Sequence, residues 1–206
     1  MQTRDKKLAL LKAFVFLVAL VPFALLLMRG WQGELGANPI ETITDETGTW
    51  TLRFLAITLT ITPLRQITGL TKLIRFRRML GLYTFFYASL HFLTYIWLDQ
   101  YFDWGFIIDD IAEHPYIIVG FTAFLVLAAM AVTSPRFMVR KMGKNWKKLH
   151  KLVYPAAFLA CLHYLWLVKS DIREPLAYLA IFTVLMVLRM PYFRDRPVLP
   201  RRKQFQ

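Results

Sequence analysis

The chain has 206 residues and a single cysteine, Cys161. One cysteine closes no internal disulfide, supplies no thiolate cluster for a metal, and says nothing about redox compartment. Acidic residues are also few, 13 against 26 Lys and Arg, which leaves a net charge of +13. No internal repeat, low-complexity segment or long linker stands out. Histidine occurs only four times, which makes each position worth asking about.

What the chain has in excess is apolar surface. It is 57% hydrophobic with mean hydropathy +0.43, too apolar for an ordinary soluble domain of this length. Six runs reach or approach the roughly 20 residues that cross a bilayer core: 8–28, 50–64, 79–98, 116–133, 149–168 and 175–188. The second is short, Thr-rich and carries Arg53. The first exceeds a signal-peptide core, and Met28-Arg29-Gly30 offers no small-x-small cleavage site, so it reads as a retained helix. Little length remains for a soluble domain. The chain divides into a membrane domain, 1–190, and a short basic cytoplasmic tail, 191–206.

Charge sets the expected topology. Basic residues cluster at Arg4/Lys6/Lys7/Lys12, Arg65/Lys72/Arg75/Arg77/Arg78, Arg136/Arg140/Lys141/Lys144/Lys147/Lys148 and Arg194/Arg196/Arg201/Arg202/Lys203. Acidic residues fill the alternate loops, Glu34/Glu41/Asp45/Glu46 and Asp99/Asp103/Asp109/Asp110/Glu113. Positive-inside placement gives both termini cytoplasmic, and six spans satisfy the alternation. Omitting the second span would put the basic 65–78 loop outside. The predicted fold is therefore an all-α membrane protein, a six-transmembrane-helix bundle. The same topology explains the positive charge without nucleic acid, and anionic lipid contact follows from it. Trp31, Trp50, Trp97, Trp104 and Trp166 fall near the predicted outer face and Trp146 near the inner one, as an interfacial belt.

Three of the histidines, His91, His150 and His163, lie in or at the edge of apolar spans. An ionisable group at that depth is costly and usually functional, and imidazole is a common ligand for metals and haem iron. The third and fifth spans run the same way. At 1.5 Å per residue, His91 and His163 both lie about 18–21 Å from the inner end. Two imidazoles at one level suit the two faces of a haem iron, an arrangement that favours electron transfer over oxygen chemistry. His150, about 20 Å below His163, reads either as the ligand of a second, inner site or as an interfacial residue. At its level the third span offers Arg78. His150 and His163 do not share an ideal helix face, and Pro155 between them is positioned to kink or unwind the helix. His114, before Pro115, reads as a solvated loop residue. The aromatic residues around His91 wall a macrocycle or pack against helices and lipid. Arg75, Arg77 and Arg78 satisfy topology or bind an anion such as a headgroup, a propionate or a flavin phosphate.

The segments Arg77-Arg78-Met79-Leu80-Gly81-Leu82, Ser89-Leu90-His91, Trp146 through Tyr154 and Leu162-His163-Tyr164 resemble the ferric-reductase-like transmembrane family. Within it, nearly the whole chain is most similar to the haem-binding membrane subunits of bacterial periplasmic methionine sulfoxide reductase systems. That resemblance implies haem b, one or two per chain, an association with FMN, and an inner-membrane, multi-pass location. It implies electron flow from the quinone pool or a cytoplasmic flavin reductase to a periplasmic molybdopterin-containing subunit, MsrP, which repairs oxidised envelope proteins. The chain would then be an electron-transfer subunit rather than the catalytic one. Two departures from related oxidases stand out. The chain has no room for a cytoplasmic FAD/NAD(P)H domain, and the third span has one histidine where two are usual. Two other functions fit the same residues: a self-sufficient haem-dependent metal or quinone reductase, and a small proton-coupled transporter with histidine relays.

Overall fold

The computed structural model describes residues 2–189, and every regular element among them is helical. The tail 191–206 lies outside the described residues. Helix α1, Gln2–Gln32, carries Pro22 in its middle. Proline removes one ladder hydrogen bond and clashes with the preceding turn. The Tyr87 hydroxyl enters the ladder beside it, accepting from the Phe23 N–H (3.3 Å) and donating to the Ala19 carbonyl (2.8 Å). The Tyr83 hydroxyl bonds the Phe16 carbonyl at 2.8 Å. Two tyrosines of a later helix thus tie α1 to the bundle through its backbone.

Helix α2, Pro39–Thr68, is the longest element after α1 and runs through the centre. Asn38 caps it with its side chain on the Glu41 N–H, Pro39 occupies the first turn where no N–H is needed, and Gly69 ends it in the left-handed conformation. The sequence suggested a short span starting near residue 50, discouraged by threonines. The helix instead begins at Pro39 and takes in Glu41, Asp45 and Glu46, which were expected in a loop. The threonine hydroxyls do not compete with the helix. Thr44, Thr47, Thr51 and Thr60 each bond a carbonyl four residues back, at 2.6–2.9 Å, so their polarity is satisfied internally.

Both sides of α2 are buried. Leu52, Leu55 and Leu59 pack on Val153, Ala157 and Cys161 of α8 (Val153–Leu167) and on Phe182 and Leu185 of α9 (Arg173–Val187). Phe54 and Ile61 pack on Leu80, Tyr83 and Tyr87 of α3 (Arg77–Leu93) and on Ala19 of α1. A π-helical stretch, Thr94–Asp99, prolongs α3. Apolar side chains such as Leu10, Phe14 and Leu17 stay exposed along α1, as expected of a helix bathed in lipid.

Two helical stretches, Lys6–Gln32 and Arg77–Asp99, are long and apolar enough to cross a membrane. A third crossing is possible if α4 (Trp104–Glu113) and α5 (Tyr116–Val132), bent by 110° at their junction, are taken as one span. Helices α8 and α9 have 15 residues each, short of the roughly 20 that span a hydrocarbon core. The expected continuous helix 149–168 is divided. Helix α7, Lys144–His150, ends before a turn at Lys151 and Leu152, and α8 starts afresh at Val153. Pro155 sits in the first turn of α8, where its missing N–H costs nothing, and of the two effects expected beside it, a kink or an unwinding, the helix shows the interruption. Two segments expected as loops are helical: α4, capped by the Asp103 carboxylate on the Gly105 and Phe106 N–H groups, and α6, Arg136–Met142.

Candidate functional site

Helices α3 and α8 bring His91 and His163 together. Their ring centres are 6.1 Å apart and their planes cross at 81°. The level match predicted from sequence counted both spans from similar starting depths. In fact His163 lies about 15 Å along α8 and His91 about 21 Å along α3, and the staggered helix starts bring the rings level.

Each ring is held the same way. His91 Nδ1–H donates to the Thr44 carbonyl at 2.9 Å, and His163 Nδ1–H donates to the Tyr116 carbonyl at 2.8 Å. A carbonyl only accepts, so Nδ1 carries the proton and Nε2 keeps its lone pair. Such a bond to the far nitrogen is what orients a metal-ligating imidazole. In both cases the accepting carbonyl is 47 residues before the histidine.

A glycine faces each ring, one turn beyond that carbonyl. A β-carbon on Gly48 would come within 3.1–3.2 Å of His91 Nδ1 and Cε1, and one on Gly120 within 2.7–2.8 Å of the same atoms of His163. The glycines let α2 and α5 approach the imidazoles closely enough for the carbonyl bonds to form. Thr44, Gly48 and His91 are therefore matched by Tyr116, Gly120 and His163 at one common offset. The two helix pairs, α2 with α3 and α5 with α8, thus hold their histidines in the same way. Neither glycine nor carbonyl stood out beforehand; the equal spacing of glycine and histidine in the two halves was the available signal.

The donor set tests whether a haem fits. An imidazole nitrogen sits about 2 Å from a ligated metal and about 1 Å in front of its ring centre, so rings on opposite sides of one iron have centres roughly 6 Å apart. The observed pair meets that spacing with both Nε2 atoms unprotonated. Among the described residues no three His, Cys, Asp or Glu side chains converge as for a bare ion. Two imidazoles alone suit an iron whose other ligands come from a porphyrin. The surrounding aromatics now divide: Tyr83 and Tyr87 stack on Phe54, whereas Phe92 stacks on Phe121 and Phe124 of α5, at 5.4 and 4.6 Å.

His150 lies at the opposite end of the bundle from this pair. Its Nδ1–H donates to the Trp146 carbonyl at 3.1 Å, and the Trp146 indole stacks on its ring at 3.8 Å. The indole N–H bonds the Thr133 carbonyl at 2.9 Å. Trp146 is thus a packed partner of His150, and Trp50 packs on Phe54 and Tyr87; neither belongs to an exposed belt. Trp31, Trp97, Trp104 and Trp166 are exposed. Arg78, expected opposite His150, is exposed, whereas Arg77 is half-buried. His114 is less isolated than a loop residue: it bonds Asp110 at 2.8 Å, and its ring and that of His163 flank the Tyr116 ring, at 5.4 and 5.8 Å.

Residues 47–161 match the family described as ferric reductase like transmembrane component. The protein-methionine-sulfoxide reductase heme-binding subunit MsrQ of Xanthomonas campestris pv. campestris (strain B100) is 52% identical over 185 residues, 87% of this chain and 85% of that protein. Its counterpart from Xanthomonas euvesicatoria pv. vesicatoria (strain 85-10) is 51% identical over 185 residues, with the same shares of each chain. The MsrQ of Herminiimonas arsenicoxydans is 47% identical over 187 residues, 89% of this chain and 86% of that protein. No solved structure matches the chain.

Proposed function

The chain belongs to the ferric-reductase-like transmembrane family and, within it, to the MsrQ proteins, and from that membership we infer a haem-holding subunit that carries electrons across the membrane for methionine sulfoxide reduction. The observation that carries this reading is the His91–His163 pair, 6.1 Å apart with both Nδ1 atoms bonded to backbone carbonyls. His91 and His163 would hold a b-type haem between them. When bound, that group supplies reversible one-electron chemistry with no open coordination position. Gly48 and Gly120 admit the rings, and the Thr44 and Tyr116 carbonyls fix their tautomers.

His150 would hold a second, inner haem, with Trp146 fixing the orientation of its ring. The bundle crosses the inner membrane six times with both termini cytoplasmic, as the charge alternation requires, and the His91–His163 pair then lies toward the periplasm. Electrons enter from a quinol or from a flavin donor, FMN included. They leave to a periplasmic molybdopterin subunit, MsrP, which repairs oxidised methionine in envelope proteins.

The test is spectroscopic and functional together. The purified chain should show a Soret band, and its chemically reduced form should be reoxidised by the molybdopterin subunit only when methionine sulfoxide is present. Absence of a Soret band would favour a histidine-relay transporter. Turnover of ferric salts or quinones without the partner subunit would favour a self-sufficient reductase.

A further inference from the structure

Three buried side-chain atoms among the described residues have no hydrogen-bond partner: the Thr58 and Thr62 hydroxyl oxygens and Arg189 Nε. All three belong to the His150 end of the bundle. Arg189, just past the end of α9, bridges α2 and α8. It donates from Nη2 to the Leu59 carbonyl and from Nη1 to the Tyr154 hydroxyl at 3.1 Å. Tyr154 is four residues after His150. The Leu59 carbonyl is open to Arg189 because its helical donor would be the N–H of residue 63, and Pro63 has none. Thr58 and Thr62 flank Leu59 on the same turn, four residues apart and so on one face. The hydroxyls of Thr44, Thr47, Thr51 and Thr60 bond carbonyls four residues back. Those of Thr58 and Thr62 do not, although Thr58 is only 7% exposed.

The same region is short of negative charge. Residues 47–98, 114–170 and 175–189 contain no Asp or Glu. The ion pairs among the described residues, Arg29–Glu46, His114–Asp110 and Arg173–Asp171, all lie elsewhere. Arg65 and Arg77 are half-buried at this end too, near the place where Ile61 packs with Phe76. A guanidinium cannot shed its proton, and a buried charge without a counter-charge is costly. We propose that Arg189, Thr58 and Thr62 form a site for an anionic oxygen group, a carboxylate or a phosphate, which accepts from Arg189 Nε–H and from the two threonine hydroxyls. The donor set selects this chemistry. All three groups have a hydrogen to give, an anionic oxygen only accepts, and its charge balances the guanidinium. A neutral ligand would complete the hydrogen bonds and leave the charge unbalanced.

The setting narrows the source of the anion. Leu59 packs with Ala157 and Phe182 in an apolar core of membrane helices, so the ligand is a molecule that resides in the membrane. Two such molecules carry the group: a haem, through its propionates, and an anionic phospholipid, through its phosphate. The link from Arg189 through Tyr154 to the His150 segment favours the haem. That source rests on the inner-haem reading above, whereas the anion site itself does not.

The test uses the full chain in detergent. Haem-depleted protein is titrated with protohaem and with protohaem dimethyl ester, which lacks both carboxylate charges. The protein is also titrated with cardiolipin and followed by native mass spectrometry. Arg189→Gln should weaken binding of the recognised anion by about tenfold, the loss expected of one charge-assisted hydrogen bond. Arg189→Lys keeps the charge and should recover part of that loss. Thr58→Val with Thr62→Val should weaken binding about threefold. Where Arg189→Gln does not fold, the threonine pair decides, because those hydroxyls bond no described residue. If a propionate is the anion, the ester binds the parent as weakly as protohaem binds Arg189→Gln, and Arg189→Gln does not weaken the ester further. If a lipid phosphate is the anion, Arg189→Gln loses cardiolipin, and the parent binds protohaem and its ester alike. The second result, with no haem bound at His150, would refute the inner-haem reading and keep the anion site. Protohaem and cardiolipin both bound as in the parent by Arg189→Gln and by the threonine pair overturns the site. Equal weakening of protohaem and ester with cardiolipin unaffected overturns it too, leaving Arg189 as a tie between helices alone.

Discussion

Gly120 stands against His163 so closely that one added methyl group would lie 2.7 Å from Nδ1, while Gly48 leaves 3.1 Å to the same atom of His91. Contacts below 3.0 Å force the ring to move; those just above it need a shift of a few tenths of an ångström. His163 is also pinned by the Tyr116 carbonyl, so its ring cannot yield without losing that bond. The two histidine settings share a design but differ in tolerance.

Gly120→Ala should therefore weaken haem binding by about 10–100-fold, the usual loss when support around a metal ligand is disturbed. Gly48→Ala should change it much less. Haem titration of the apoprotein, followed by the Soret band, measures both. Equal effects would mean that the close approach at Gly120 does not position the ring.

The inner site has its own test. Arg77 is half-buried, whereas Arg78 is exposed. Arg77→His is expected to add low-spin haem character that disappears when combined with His150→Ala, and Arg78→His is expected to add none. Electron paramagnetic resonance separates the two outcomes. No change with either substitution would leave His150 as a packed partner of Trp146 alone.

Much of the fold was legible in the sequence because apolar runs at membrane length are a strong signal. Runs 8–28, 79–98, 116–133 and 175–188 each lie within one residue of, or largely inside, an observed helical stretch. What failed was local. The Thr-rich second span looked weak because the back-bonding of Thr44, Thr47, Thr51 and Thr60 to carbonyls has no trace in composition. Pro155 left a kink and an unwinding both open because nothing in the run from Leu149 to Val168 marks the turn at Lys151. His91 and His163 were found because an apolar span makes a histidine conspicuous. Their supports were missed because a backbone carbonyl has no sequence signature, and a glycine in a membrane helix is common.

The attachment of α1 depends on two hydroxyls. Tyr87→Phe should destabilise the bundle by about 1–3 kcal/mol, since it strips partners from both the Ala19 carbonyl and the Phe23 N–H beside Pro22. Tyr83→Phe removes one bond, to the Phe16 carbonyl, and should cost less. Thermal unfolding in detergent gives the comparison. An equal or reversed order would show that the Tyr87 hydroxyl does not hold the interrupted helix.

Topology is open to a chemical test. Asp109 and Lys144 are both exposed and fall in acidic and basic segments, and the native Cys161 is buried. Asp109→Cys and Lys144→Cys should react with an impermeant maleimide from opposite sides of the membrane, Asp109→Cys in intact cells and Lys144→Cys in inverted vesicles. Reaction of both from one side would contradict six crossings.

The central claim is that His91 and His163 share one iron. The most direct measurement is the low-temperature electron paramagnetic resonance spectrum of the purified protein beside His91→Ala, His163→Ala and His114→Ala. The account predicts a low-spin bis-imidazole signal in the parent, its loss in each of the first two variants, and its retention in His114→Ala, whose ring bonds Asp110 instead. A full low-spin signal surviving in both His91→Ala and His163→Ala would contradict it.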